Sequence, residues 1–240
     1  MILFLAAAIA SSPLSTAAVA TEVECRSRTG ADAALCLATY YATTEKHAEA
    51  AAEFERAAQL SSAIAATAGD PRSDRALAAA GNMWIAAGLP GKAALALDRA
   101  LAGKGLQAEQ RGEALLDRAR AAEAQNDLKT ARAKVSEAGH TIAADPFLWY
   151  FSAALAVREG DAPLAKSAIN RALSLAPADP TILFEAGHVA HFANDEAGAR
   201  DYWTRALAAD PNGPSGKAAR EALAMLGAPL TVQSAPGTTK

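Results

Sequence analysis

The sequence predicts an all-α solenoid of stacked helical hairpins, and three observations support this fold class. A 34-residue pattern can be laid five times over residues 31–213. The three clearest copies each have a turn-forming pair near the middle, at Asn126-Asp127, Gly160-Asp161 and Asn194-Asp195. Only 5% of the residues are aromatic and alanine is abundant, which favours helices over sheet. Each unit therefore holds two helices of roughly a dozen residues, and such hairpins must stack to bury their faces.

The chain begins with an uncharged, mostly apolar segment, residues 1–20, that ends in Ala18-Val19-Ala20, an A-x-A cleavage signature. We interpret this segment as a secretory signal peptide, which makes the mature protein periplasmic or secreted. However, no Lys or Arg precedes the apolar run, and about 20 residues can span a bilayer. The alternative is an inner-membrane anchor left uncleaved. Pro13 and the many small residues disfavour a permanent span, so we expect no stable membrane insertion after cleavage.

A lead segment, residues 21–30, contains the first of only two cysteines, Cys25, and the second, Cys36, follows in the first repeat. An oxidising compartment favours a disulfide between them, and a ring of this size contributes about 2–4 kcal/mol to stability. The alternative is that Cys36 is simply a small helix residue and Cys25 a free thiol.

Five repeats follow the lead segment, and they become more regular towards the C-terminus. Their bounds are 31–64, 74–107, 112–145, 146–179 and 180–213. The first repeat is followed by a linker, residues 65–73, and the second by four extra residues. Residues 214–227 are predicted to form an amphipathic helix that caps the solenoid. Residues 228–240 lack periodicity and are predicted to be a disordered tail.

The residues that recur within each copy resemble the signature of the tetratricopeptide repeat family. In the fourth copy these are Trp149, Ala153, Gly160-Asp161, Ala165, Ile169, Ala172 and Pro177. The resemblance implies a right-handed superhelical solenoid of tetratricopeptide-like hairpins with a C-terminal capping helix. It also implies that the first helix of each hairpin lines a concave groove that binds a peptide or a protein.

The inward positions of the family's first helices, transferred to this sequence, give the candidate partner-binding residues. They are Asn82, Ile85, Leu116, Arg120, Glu123, Tyr150, Phe151, Arg158, Phe184, His188, His191 and Phe192. The C-terminal half of the groove would thus carry aromatic anchors rimmed by Arg and His. The alternative for Tyr150 and Phe184 is that they belong to the core between repeats.

Some family members hold an acidic peptide C-terminus with a clamp of Lys, Asn and Arg. Asn82 fits one place of that clamp, but Asp117, Phe147 and Phe151 occupy places that need cations or amides. Asp117 and Glu123 would also repel an acidic peptide. The sequence therefore disfavours such a clamp.

An enzyme or a metal centre has little support in the sequence. Glu185, His188 and His191 are spaced three apart on one predicted helix and suit zinc chemically, but the angular drift over two turns disfavours one shared ion. His47 and His140 stand alone. Phosphate-binding, dinucleotide-binding and hydrolase motifs are missing. We therefore predict no catalysis, no metal and no cofactor.

The sequence predicts a non-enzymatic adaptor or assembly scaffold of the bacterial cell envelope that binds a protein or peptide partner. The net charge of −3, from 23 basic and 26 acidic residues, argues against a nucleic-acid partner. Two alternatives stay open. One is an accessory subunit that presents a ligand or metal to an enzyme, and the other is a structural protein that self-associates into homo-oligomers.

Overall fold

A computed structural model describes residues 20–64 and 71–227, and this part of the chain is a solenoid of α-helices. The predicted signal peptide lies outside the described residues except for Ala20, and so do residues 65–70 and the predicted tail at 228–240. Twelve helices follow one another in the described part, with no strand among them. They are α1 (Glu22–Arg26), α2 (Gly30–Thr43), α3 (His47–Ile64), α4 (Pro71–Ala86), α5 (Pro90–Ala102), α6 (Ala108–Ala124), α7 (Leu128–Ala138), α8 (Pro146–Glu159), α9 (Ala162–Leu175), α10 (Pro180–Phe192), α11 (Glu196–Ala209) and α12 (Pro214–Gly227).

Helices α2 to α11 form five hairpins, each closed by a residue in the left-handed backbone conformation. These residues fall at the equivalent position of all five repeats: Glu45, Gly88, Asn126, Gly160 and Asn194. Glycine and asparagine tolerate a positive φ, whereas this conformation is sterically unfavourable for glutamate. The irregular first repeat therefore makes the same turn as the regular ones, although its sequence carries no turn signal.

The aspartates that follow these turns in the last three repeats cap the second helix of each hairpin. Asp127, Asp161 and Asp195 accept hydrogen bonds of 2.9–3.0 Å from the backbone N–H three residues later. The Asn-Asp and Gly-Asp pairs thus combine a left-handed turn with an N-cap. Lys46 and Leu89 occupy the cap position in the first two hairpins, and no side chain caps α5.

Small residues allow the two helices of a hairpin to approach closely. Ala165 and Ala172 on α9 have no exposed surface, and neither has Ala153 on α8. In the fifth hairpin, the indole of Trp203 lies where a side chain at Gly187 would be, so only glycine fits. Alanine and glycine therefore let the helix backbones contact each other closely, and the few large side chains fill the remaining space in the core.

Successive hairpins stack, and their first helices pack closely in two pairs. Helices α4 and α6 pack against each other, as do α8 and α10. Each second helix packs against the first helix of the next hairpin. Helix α12 packs on both α10 and α11, which places it where the first helix of a sixth hairpin would lie. It therefore covers the apolar end of the solenoid.

At the opposite end, the short helix α1 packs on α2 and is joined to it covalently. Cys25 and Cys36 form a disulfide with their Cα atoms 5.2 Å apart. Glu22 on α1 accepts a hydrogen bond of 3.1 Å from the Tyr41 hydroxyl on α2. Within residues 20–64 and 71–227, no helix has both the length and the apolar character needed to cross a membrane.

Candidate partner-binding groove

The candidate groove follows the wall of first helices, and its N-terminal part is a polar network closed on itself. The Asn82 amide on α4 donates a 2.8 Å hydrogen bond to Asp117 on α6. Arg120, one turn along α6, donates to the other oxygen of the same carboxylate at 3.0 Å. Burial raises the pKa of Asp117, while Arg120 and Asn82 act in the opposite direction. Asn82 and Arg120 thus satisfy a half-buried carboxylate within the protein.

Arg158 and Glu123 also bind each other, across the joint between the third and fourth hairpins. The Arg158 guanidinium on α8 donates to the Glu123 carboxylate and, at 3.1 Å, to the Glu123 backbone carbonyl. It also donates to the Asn126 side chain at 3.0 Å. These bonds tie α8 to the end of α6. The Arg158 guanidinium therefore holds two repeats together.

Tyr150 on α8 and Glu185 on α10 are the half-buried polar pair of the C-terminal groove. Burial raises the pKa of Tyr150 well above its ordinary value, and the nearby charge of Glu185 adds to this effect. Burial alone raises the pKa of Glu185 from 4.5 to about 7. Within the described part of the chain, neither side chain makes a hydrogen bond or ion pair, and His47 Nδ1 is the one fully buried polar side-chain atom without a partner. The oxygens of Tyr150 and Glu185 therefore reach solvent.

The sequence prediction did not include Glu185 among the groove residues and considered it only as a metal ligand. A usable signal was present: Asp117, Phe151 and Glu185 are spaced 34 residues apart, so they hold the same place in successive repeats. The 34-residue repeat predicts that Asp117 and Phe151 lie in the groove. One further step of the repeat leads to Glu185.

An aromatic cluster lies beside Glu185 in the fifth hairpin. The His188 ring contacts Phe184 and Trp203 edge-on, with centroids 4.6 and 5.4 Å away. The Trp203 indole donates a 3.0 Å hydrogen bond to the Phe184 carbonyl. Burial and the neighbouring His191 lower the pKa of His188, which favours the neutral form of its ring. These contacts hold the exposed His188 ring against Phe184 and Trp203.

The other aromatic candidates are half-buried and contribute to the core as well as to the surface. Phe151 packs against the cluster shared by the third and fourth hairpins, and Tyr150 against the cluster of the fourth and fifth. Phe184 packs against the last cluster, which includes α12. Phe192, near the end of α10, is also half-buried. Core packing and groove lining are therefore not exclusive roles for these residues.

The structure does not gather Glu185, His188 and His191 around a common point. His191 Nδ1 lies 2.9 Å from the Glu196 carboxylate, and its ring contacts Trp203, whereas Glu185 lies near Tyr150 on the neighbouring hairpin. In the described residues, no group of three or more His, Cys, Asp or Glu side chains is arranged to hold a metal ion.

Comparison with solved structures finds proteins of the same architecture at low sequence identity. PilW, a widely conserved type IV pilus biogenesis factor, is 15% identical with a TM-score of 0.64, and the match covers 78% of this chain and 81% of PilW. PilF of Pseudomonas aeruginosa is 16% identical with a TM-score of 0.61, covering 80% and 82% of the two chains. YrrB, a TPR protein with an unusual peptide-binding site, is 16% identical with a TM-score of 0.56, covering 85% and 98%.

No protein-family model matches the sequence, and no curated protein matches it significantly. The structural likeness extends along most of this chain and most of each neighbour. At such low sequence identity, it shows a shared fold and no more. Together with the five recurring hairpins, it shows that this chain has the tetratricopeptide-repeat fold.

Proposed function

We propose that this protein is a non-enzymatic adaptor or assembly scaffold of the bacterial cell envelope that holds a partner peptide or protein in its concave groove. The observation that carries the proposal is the half-buried pair Tyr150 and Glu185, whose polar atoms reach solvent and have no partner within the described residues. Partly desolvated polar groups beside apolar surface are characteristic of binding sites. Such groups lower the stability of the protein when no ligand occupies the groove, and a bound ligand that pairs with them offsets this loss.

Location in the cell envelope is supported by two independent features. The N-terminal segment ends in the cleavage signature Ala18-Val19-Ala20. The disulfide between Cys25 and Cys36 belongs to an oxidising compartment. Among structures with this fold, PilW is a pilus biogenesis factor and YrrB has a peptide-binding site. These neighbours are consistent with an envelope scaffold that captures peptides.

Site-specific photocrosslinking in the native cell tests the proposal. A benzophenone amino acid at Phe192 would sit on the groove side of α10 and replace an aromatic side chain. The same amino acid at Lys166, exposed on the second helix α9, is the matched control. We expect a defined heterologous product from position 192 that is missing from position 166. Homotypic products alone would support self-association instead, and identical products from both positions would refute groove binding.

A further inference from the structure

The first helices of the last three hairpins have no cation left for an acidic ligand. Every arginine on α6 and α8 already has an acceptor within the protein. The pairs are Arg111 with the Leu101 carbonyl, Arg118 with Asp98, Arg120 with Asp117, and Arg158 with Glu123. Helix α10 contains no Lys or Arg, and α6 and α8 contain no Lys. An acidic peptide would therefore have to break an internal ion pair to bind here.

Glu185 is in the opposite position, because it is an acid that lacks a cation. On its own helix, Ile182, Ala186 and Val189, which lie three residues before it and one and four residues after it, belong to a buried apolar cluster. Among the described residues no charge contributes to its altered pKa, which burial alone explains. An isolated carboxylate in such surroundings gains most from a cation that brings its own charge into the groove.

The aromatic residue beside Glu185 suits the same ligand. Tyr150 lies close enough that the charge of Glu185 raises its pKa, and its hydroxyl makes no hydrogen bond within the described residues. A tyrosine ring attracts a cation over its face, and a phenolic oxygen accepts a hydrogen bond from an ammonium or guanidinium group.

Resting on the proposed function, we propose that the groove between α8 and α10 receives a basic side chain of the partner, a lysine or arginine flanked by apolar residues. The cation pairs with Glu185 and lies against Tyr150. A neutral hydrogen-bond donor would satisfy the carboxylate less well, because charge-assisted hydrogen bonds are roughly twice as strong as neutral ones. Charge complementarity thus favours binding of a basic segment of the partner in this part of the groove.

Selection from a random dodecapeptide phage library against the full chain provides a probe without knowledge of the natural partner. We expect the selected peptides to carry Lys or Arg at one fixed position among apolar residues. The best peptide is then synthesised twice, with its basic residue intact or replaced by norleucine. Both forms are titrated against the wild type, Glu185→Gln, and Glu113→Gln, a control that changes an exposed carboxylate on α6 of the same wall.

The inference requires the norleucine substitution to weaken binding about 10-fold or more to the wild type and to Glu113→Gln. The norleucine substitution must have little effect on binding to Glu185→Gln, because norleucine in the peptide and glutamine in the protein remove the same ion pair. Equal losses in all three proteins would place the cation elsewhere and overturn the inference. Selected peptides that lack a basic residue would also overturn it while leaving peptide binding intact. Failure to select any peptide would refute the proposed groove function itself.

Circular dichroism and the urea midpoint of each variant verify that it is folded. Glu185→Gln removes a desolvated charge, so it is expected to fold at least as well as the wild type. Tyr150→Phe provides a second, independent probe, because it keeps the aromatic ring and removes the hydroxyl. We expect Tyr150→Phe to weaken binding of the intact peptide less than Glu185→Gln does. A larger loss of affinity would contradict the leading role of the carboxylate.

Discussion

Glu185 should make the folded protein less stable as the pH rises. Its pKa in the folded chain is about 7, against an ordinary value of 4.5. Between these values the folded state holds a proton that the unfolded state has lost, so the free energy of unfolding falls with increasing pH. The gap corresponds to about 3–4 kcal/mol at about 1.4 kcal/mol for each pH unit. The full stability is present below pH 4.5, and the loss is complete above pH 8.

The substitution Glu185→Gln isolates this contribution, because it resembles the protonated side chain in size and polarity. We expect the variant to match the wild type closely near pH 4.5 and to exceed it in stability by about 3–4 kcal/mol above pH 8. Urea denaturation of both proteins from pH 5 to pH 8.5 should show the difference growing by about 2–3 kcal/mol. Glu221→Gln, at an exposed carboxyl on α12, is the control. A stability difference between Glu185→Gln and the wild type that stays constant over this range would refute the burial of an unpaired carboxylate.

Four further outcomes are expected. Binding of a basic peptide should be about 10-fold tighter at pH 8 than at pH 6, because Glu185 must ionise, and titration calorimetry should show that Glu185→Gln loses this difference. Asp161→Ala removes the N-cap of α9 and should lower stability by about 1 kcal/mol in urea, whereas Asp161→Asn should retain most of it. Gly187→Ala overlaps Trp203 and should cost about 1–3 kcal/mol in the same assay. Reducing the disulfide between α1 and α2 should lower stability by about 2–4 kcal/mol, seen as an earlier urea midpoint with dithiothreitol.

The fold was accessible from the sequence because its strongest signals are local. In the last three hairpins a left-handed residue and an N-capping aspartate stand side by side, and this pairing recurs every 34 residues. The turn at Glu45 could not be identified in this way, since glutamate has no preference for a positive φ. The surrounding helices impose the turn there.

The candidate groove was only partly accessible, because its chemistry depends on contacts between repeats. The register predicts that Arg120 and Arg158 face the groove, but it could not show that each guanidinium binds a carboxylate within the protein. Asn82 and Asp117 are 35 residues apart, and so are Glu123 and Arg158. Only the stacking of neighbouring hairpins makes these partners meet. The same stacking leaves Glu185 without one.

The bonds of Arg158 also bear on the shape of the groove. Helices α6 and α8 pack less closely than α4 and α6 or α8 and α10, so at this joint directional hydrogen bonds supplement side-chain packing. On the other side of α8, Arg132 of α7 donates to the Ser152 hydroxyl at 2.9 Å and to Glu159 at 3.1 Å. Two guanidinium groups thus fix the angle at which the fourth hairpin follows the third. A substitution at either arginine would change the curvature of the solenoid while leaving each hairpin intact.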